Sequence, residues 1–303
     1  MLPNFIIIGA AKSGTSSIFK YLEQHPDICM SKTKETNHFA YMDGIPEYVY
    51  YGDSPGSLMT SITNFDVYKA QFNHHPKAKA FGEASPLYLY HTQAPGNINR
   101  AIPDVKIIVV LRNPVDRAFS HFLHLRRDGR EPVSDFYQAL ELETERMKKG
   151  WFWDYFYKDM GLYTGQLKRY YELFDNKNIR VYLFEEFFRD NQRFMADLFR
   201  YLGLDLDSKV QTGTKHNISG LPKNRFLHSM LNQSNVIKSL LKKVIPTSPR
   251  QRLKQKLNRI NLKKPKMEPE TRRMLIKYFK KDILNLQALI QKDLSHWLGD
   301  SPG

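Results

Sequence analysis

The chain has 303 residues, 41% of them hydrophobic and 13% aromatic, enough for a large buried core and too apolar for a disordered chain. No apolar run reaches the ~18 residues of a membrane span, an early first strand leaves no room for a signal peptide, and a lone cysteine, Cys29, excludes an intrachain disulfide and points to a cytoplasmic setting. The net charge of +15 is concentrated in residues 215–282, where 19 Lys/Arg face only Glu268, Glu270 and Asp282, so the remainder is close to neutral.

The first apolar run, residues 4–8, leads into GAAKSGTSSIFKYL and a helical pattern over 15–24 that Pro26 stops. Residues 40–75 are rich in loop formers (Gly44, Pro46, Gly52, Pro55, Gly56) and suggest an insertion over the sheet edge. The second run, 105–111, feeds a helix over 114–127, and the third, 179–184, precedes a helix over 192–202 that ends at Gly203. Apolar strands each followed by a helix predict parallel βαβ construction. Beyond residue 224 the pattern is helical and basic, interrupted at Pro246, Pro249, Pro265 and Pro269. The expected class is α/β: a three-layer, P-loop-like parallel sheet flanked by helices, with a helical basic C-terminal portion. The whole chain, 1–303, is expected to be one domain, an α/β core over 1–225 and a helical extension over 226–303.

Two stretches carry chemistry. In the first, Gly9 and Gly14 allow a close backbone approach, Lys12 stands at the loop tip, and Ser13, Thr15, Ser16 and Ser17 offer hydroxyls at a helix N-terminus, an anion site. The familiar nucleotide loop places its Lys after the second Gly; here Lys12 precedes Gly14. The second stretch, LRNPVDRAFSHFLH, ends a strand in Arg112, caps the next helix with Asn113 and Pro114, and sets Asp116, Ser120 and His124 on one stripe. An Arg fork and a Ser suit a second phosphate. A nucleoside triphosphatase needs a magnesium-holding acid at a neighbouring strand end, and this strand ends in a cation. No Cys/His cluster has metal-ligand spacing, so no metal is expected.

These residues resemble the sulfotransferases that use 3′-phosphoadenosine 5′-phosphosulfate. GAAKSGTSS is similar to their 5′-phosphosulfate loop and LRNPVDRAFSHF to their 3′-phosphate motif. KETNHF at 34–39, GEASPLYL at 82–89, the VYLFEEFF…LGL run and HNISGLPKNR at 216–225 resemble further segments of the heparan-sulfate-type branch, the N-deacetylase/N-sulfotransferase and 3-O-sulfotransferase-like enzymes with their bacterial relatives. Ala84 stands where animal members often carry Lys, the late-loop disulfide of those members cannot form, and no Golgi anchor precedes the domain. A bacterial-type cytoplasmic enzyme is therefore expected.

The resemblance implies sulfuryl transfer to a hydroxyl or amine of a small molecule, a carrier-bound natural product or a glycan, with adenosine 3′,5′-bisphosphate as product and no metal. It places Lys12 at the bridging oxygen, Ser13, Gly14, Thr15, Ser16 and Ser17 around the 5′-phosphosulfate, Arg112 and Ser120 on the 3′-phosphate, and Lys223 and Arg225 closing over it. Glu35 is the first choice of general base, or a surface acid paired with Lys32 or Lys34. His124 is the second choice, with His38 and Glu83 behind it; His121 is expected to pack or face water. Tyr41, Tyr48, Tyr50 and Tyr51, with Trp151, Phe152, Trp153, Tyr155 and Phe156, either line an acceptor cleft or fill the core, the second being the commoner use. The other classes considered are a phosphate-loop kinase and a polyanion-binding module built on the basic segment. No specific nucleic-acid partner is expected.

Overall fold

A computed structural model describes residues 1–47, 58, 61–205, 210, 220–222, 262–263 and 265–299. Five strands form a parallel sheet: β1 (Phe5–Gly9), β2 (Ile28–Met30), β3 (Ala80–Ala84), β4 (Lys106–Leu111) and β5 (Ile179–Leu183), in the order β2-β3-β1-β4-β5. The helices are α1 (Thr15–Leu22), α2 (His38–Tyr41), α3 (Phe65–Lys69), α4 (Leu87–Tyr90), α5 (Ala94–Ala101), α6 (Pro114–Arg127), α7 (Phe136–Glu141), α8 (Glu143–Lys148), α9 (Tyr163–Tyr171), α10 (Phe184–Arg189), α11 (Asn191–Leu202) and α12 (Pro269–Ile290). A two-residue strand, β6 (Leu221–Pro222), pairs antiparallel with β7 (Leu262–Lys263) and lies against α6.

The three apolar runs are β1, β4 and β5, each within a residue of its expected bounds. Their alternation divides the core. Ile6, Ile8, Ile107 and Val109 enter one cluster; Phe5, Ile7, Ile108 and Val110 enter the other with Ile18, Phe19 and Leu22 of α1. Both faces are dry, and each such side chain contributes roughly 1.5–3 kcal/mol of burial. β2 and β3 have no counterpart in the apolar-run reading: β2 has three residues, and β3 reads AFGEA. Of the 40–75 segment, Gln71 lies beside the residues that follow β2, Lys32 N donating to Gln71 O at 3.3 Å and Thr33 N to Gln71 Oε1 at 3.0 Å. No described helix is long and apolar enough to cross a membrane.

The C-terminal part braces the carboxyl edge of the sheet. Pro269, read from sequence as an interruption, instead opens α12 at the first helical position, where its missing N–H costs nothing. α12 packs on α6 and α9, and Arg272 pairs with Asp116 of α6, both nearly buried. Further along, Asn113 Nδ2 donates to Trp297 O at 3.2 Å, Trp297 Nε1 to Glu185 Oε1 at 2.7 Å, and Lys292 Nζ to Glu186 Oε1 at 2.8 Å. The residues that follow β4 and β5 are thus held from behind.

Removing one partner of a buried pair strands the other charge, at about 3–5 kcal/mol. Arg272→Ala is expected to lower the unfolding free energy by that much in urea, with part of the loss recovered in Arg272→Met combined with Asp116→Leu. A change below ~1 kcal/mol, the level of an exposed pair, would show that the pair does not hold α12 in place.

Candidate active site

β1, β3, β4 and β5 end at one edge of the sheet, the usual ligand crevice of open parallel sheets. Gly9 and Gly14 have φ of 151° and 85°. A Cβ on Gly9 would stand 2.8 Å from Leu89 Cβ, so the turn requires glycine there. Gly14 is the N-cap of α1 and supplies no side-chain cap, leaving the amides of Thr15 and Ser16 without helical acceptors at the positive end of the dipole, while Ser17 N donates to Gly14 O at 2.9 Å. Ser13 is fully buried and its Oγ has no hydrogen-bond partner among the described residues, while Thr15 and Ser17 are buried and Ser16 is more open.

Lys12 sits at the loop tip with φ of 66°. Its ammonium makes no hydrogen bond or salt bridge among the described residues. Burial, and after it the Arg127 guanidinium, lower its pKa to about 8; Asp128 and Glu35 pull the other way, and Arg112 adds a smaller depression. Arg112, the first residue after β4, donates from Nη1 to Lys12 O at 3.2 Å and rests 4.6 Å over the Phe184 ring. The same ring comes within 3.4 Å of where a Gly14 Cβ would be, so Phe184 joins the two loops from below. Arg112 has no salt bridge among the described residues, and the rest of its fork stays available. Asp116, expected on a stripe with Ser120 and His124, is committed to Arg272. Ser120 is buried on α6, two turns beyond Arg112.

The predicted acids divide sharply. Glu35 follows β2, its N–H donating to Ala84 O at 3.1 Å at the end of β3, and its side chain is 33% exposed. It pairs with Lys34, as the surface reading expects, and also lies close enough to raise the Lys12 pKa, as the catalytic reading expects. Glu83 is fully buried, and four hydroxyls donate to its carboxylate: Thr36, Tyr68 at 2.7 Å, Ser85 at 2.9 Å and Tyr88 at 3.0 Å. Burial raises its pKa against the opposing pull of those bonds. Glu83 corrects one sequence inference, for an acid does stand on β3, next to β1. Its oxygens are closed off by hydroxyls, so it offers no metal ligand. It anchors the segment carrying Glu35 through Thr36, while Ser85 also accepts from Asn37 N at 3.1 Å.

His38 is buried, its Nδ1 2.7 Å from Ile62 O and its ring stacked on Tyr68. His121 packs, as one of its two expected alternatives has it, between Arg117 and Asp154, and burial lowers its pKa to about 4. His124 lies near the C-terminal end of α6, where Arg127 Nη2 meets its Nδ1 at 2.6 Å. Tyr41, Phe152, Trp153, Tyr155 and Phe156 are core residues, and Trp153 Nε1 donates to Tyr41 OH at 3.1 Å. Tyr48, Tyr50 and Tyr51, with Lys223, Arg225 and most of the basic segment, lie outside the described residues. Sequence reasoning missed Phe184, Arg127 and Asp128; for Arg127 the available signal was its i+3 spacing from His124.

A parallel sheet with an uncapped loop–helix junction at β1, a Lys at its tip without an ion pair among the described residues and a partly open Arg after β4 is an arrangement suited to an anion with two charged ends. The sulfotransferase domain family matches residues 2–286, and the chain belongs to that family. A crystal structure of a sulfotransferase from Alicyclobacillus acidocaldarius is 33% identical, covers 98% of this chain and 99% of its own, and superposes with a TM-score of 0.77. The membrane-associated sulfotransferase kil1 of Dictyostelium discoideum is 32% identical over 123 residues, 40% of this chain and 22% of that protein. Mouse heparan sulfate glucosamine 3-O-sulfotransferase 6 is 32% identical over 122 residues, 40% of this chain and 30% of that protein. The human bifunctional heparan sulfate N-deacetylase/N-sulfotransferase 2 is 30% identical over 155 residues, 48% of this chain and 15% of that protein. The chain thus matches less than a third of the length of these curated relatives.

An ordinary lysine titrates near ~10.4, whereas Lys12 is expected near 8. Reductive methylation with labelled formaldehyde, followed by NMR across pH, should show one such amine, missing in Lys12→Met. In Arg127→Gln its midpoint should rise, because a neighbouring cation is gone. An unchanged midpoint would show that the two charges do not face one site.

Proposed function

We propose that the chain moves a sulfuryl group from 3′-phosphoadenosine 5′-phosphosulfate to a hydroxyl or amine of a small-molecule, carrier-bound or glycan acceptor, with Glu35 as general base. The observation that carries this reading is the pair of cations, Lys12 and Arg112, at adjacent strand ends with no carboxylate bound to either among the described residues. The loop also fits a phosphosulfate: Ser13 Oγ is buried without a partner among the described residues, and the Thr15 and Ser16 amides of α1 have no side-chain cap. The nucleotide supplies an activated sulfuryl group and a good leaving group when bound.

The chain's residues then have separate tasks. Backbone and hydroxyl groups of residues 13–17 hold the 5′ end. Arg112 and Ser120 hold the 3′-phosphate, the group absent from ATP, and Lys223 and Arg225 close over it. Lys12 neutralises charge on the bridging oxygen as the S–O bond breaks. Glu35 accepts the acceptor's proton as the new bond to sulfur forms. Positioning and charge stabilisation supply most of the rate, as in phosphoryl transfer.

The test is release of labelled sulfate from the donor, first to water and then to phenolic, amino-sugar and carrier-bound acceptors. Lys12→Ala should abolish turnover while weakening bisphosphate binding only modestly. Glu35→Gln should keep donor affinity and lose ~10²–10⁴-fold in rate. Full turnover in Lys12→Ala, or faster transfer from ATP with magnesium than from the sulfuryl donor, would contradict the proposal.

A further inference from the structure

The four residues whose hydroxyls surround Glu83 share a second property: each also belongs to, or touches, the turn that carries Glu35. Thr36 is itself part of that turn, and its Oγ1 donates to Glu83 Oε2. Ser85 Oγ donates to the same oxygen at 2.9 Å and accepts from Asn37 N at 3.1 Å. Tyr68 OH donates to Glu83 Oε1 at 2.7 Å, while its ring stacks on His38 with 4.4 Å between centroids. Tyr88 OH donates to Oε1 at 3.0 Å and accepts from Phe39 N at 3.3 Å. Four successive residues, 36–39, are thus gripped from one buried carboxylate. Two O–H donors on each oxygen are the full complement of an ionised carboxylate.

The turn needs such a grip. Glu35 and Asn37 have φ of 63° and 47°, in the left-handed region that Asn tolerates and Glu rarely adopts. A strained backbone persists only where its surroundings over-determine it. This conformation sends neighbouring side chains opposite ways: Thr36 is fully buried against Glu83, and the Glu35 side chain is 33% exposed. Backbone bonds place the turn at the carboxyl edge of the sheet, beside the β1 loop. Glu35 N donates to Ala84 O at 3.1 Å, and Ser85 N donates to Ile7 O at 3.1 Å, two residues before Gly9. On the far side of the turn, Thr36 O accepts from Ile62 N at 2.8 Å.

We propose that Glu83 is a positioning residue for sulfuryl transfer: through Thr36 it holds the left-handed turn that presents the Glu35 carboxylate to the crevice. The inference rests on the sulfuryl-transfer reading with Glu35 as base, and deepens it. Glu83 is fully buried, so it acts only through its hydroxyls. Without the Thr36 hydroxyl, the turn is free to relax toward right-handed angles and to swing Glu35 off its line to the acceptor. The anion subsites on β1 and β4 do not depend on that hydroxyl and keep their geometry. The carboxylate that sequence reasoning ranked last as a base thus serves the one ranked first.

The test uses Thr36→Val, which keeps the side-chain shape and removes the hydroxyl, because removing Glu83 itself would strand four hydroxyls in the core. Release of labelled sulfate from the donor to water needs no known acceptor, and is followed well below each variant's melting temperature. Thr36→Val should bind adenosine 3′,5′-bisphosphate as wild type does and lose roughly 10- to 100-fold in kcat. Thr36→Ser, which still donates, should recover most of that loss. In a Glu35→Gln background Thr36→Val should cost nothing more, because the group it positions is gone. An equal loss in that background, a Thr36→Val variant at full rate, or a loss that Ser does not recover overturns the proposal and leaves Glu83 a core anchor, with the base reading intact. Glu35→Gln at full rate overturns the base reading itself, and this inference with it.

Discussion

Two partly buried cations facing one crevice, with no salt bridge to either among the described residues, are the constraint on which the rest of this molecule turns. Lys12 and Arg112 meet through the Lys12 carbonyl and share the Phe184 ring as a floor. Burial lowers the pKa of each. Taking two cations out of water is costly, Arg127 and then Arg112 add to that cost at Lys12, and the fold must supply the work of keeping them there. It does so with a parallel sheet dry on both faces, two turns that begin directly at strand ends, and a C-terminal segment pinned to Asn113, Glu185 and Glu186. In the proposed reading, an anion with charge at both ends of a nucleoside would offset that cost at both places.

The same reasoning explains why the nearby acids are treated so differently. Asp116 would neutralise Arg112 if it were free, and it is drawn to Arg272 on α12 instead. Glu83 lies at the end of a strand beside β1 and would suit a metal, but four hydroxyls occupy it and turn it into an anchor. Glu35 alone of the predicted acids is partly exposed and near Lys12. Asp116 and Glu83 are thus held in bonds of their own, and Glu35 is left partly open for the role proposed above.

Much of this arrangement was legible in the sequence because it depends on local rules. Apolar runs mark strands buried on both faces, and Asn113–Pro114 marks a helix start with its cap, Asn113 Oδ1 accepting from Val115 N at 3.0 Å. β3 was not legible: its Gly and Glu break the apolar pattern, and its place depends on pairing with both β1 and β2. The partners of Asp116 and Glu83 were equally hidden, since Arg272 lies 156 residues from Asp116 and Thr36 lies 47 from Glu83.

The central claim is that Arg112 and Lys12 read the two ends of one nucleotide. Calorimetric comparison of adenosine 3′,5′-bisphosphate with adenosine 5′-monophosphate, in wild type and in Arg112→Ala, tests it most directly. The account predicts that wild type strongly prefers the bisphosphate, and that Arg112→Ala loses the preference while its affinity for the monophosphate is unchanged. Equal affinity for the two nucleotides in the wild-type protein, or a preference that survives in Arg112→Ala, would contradict it.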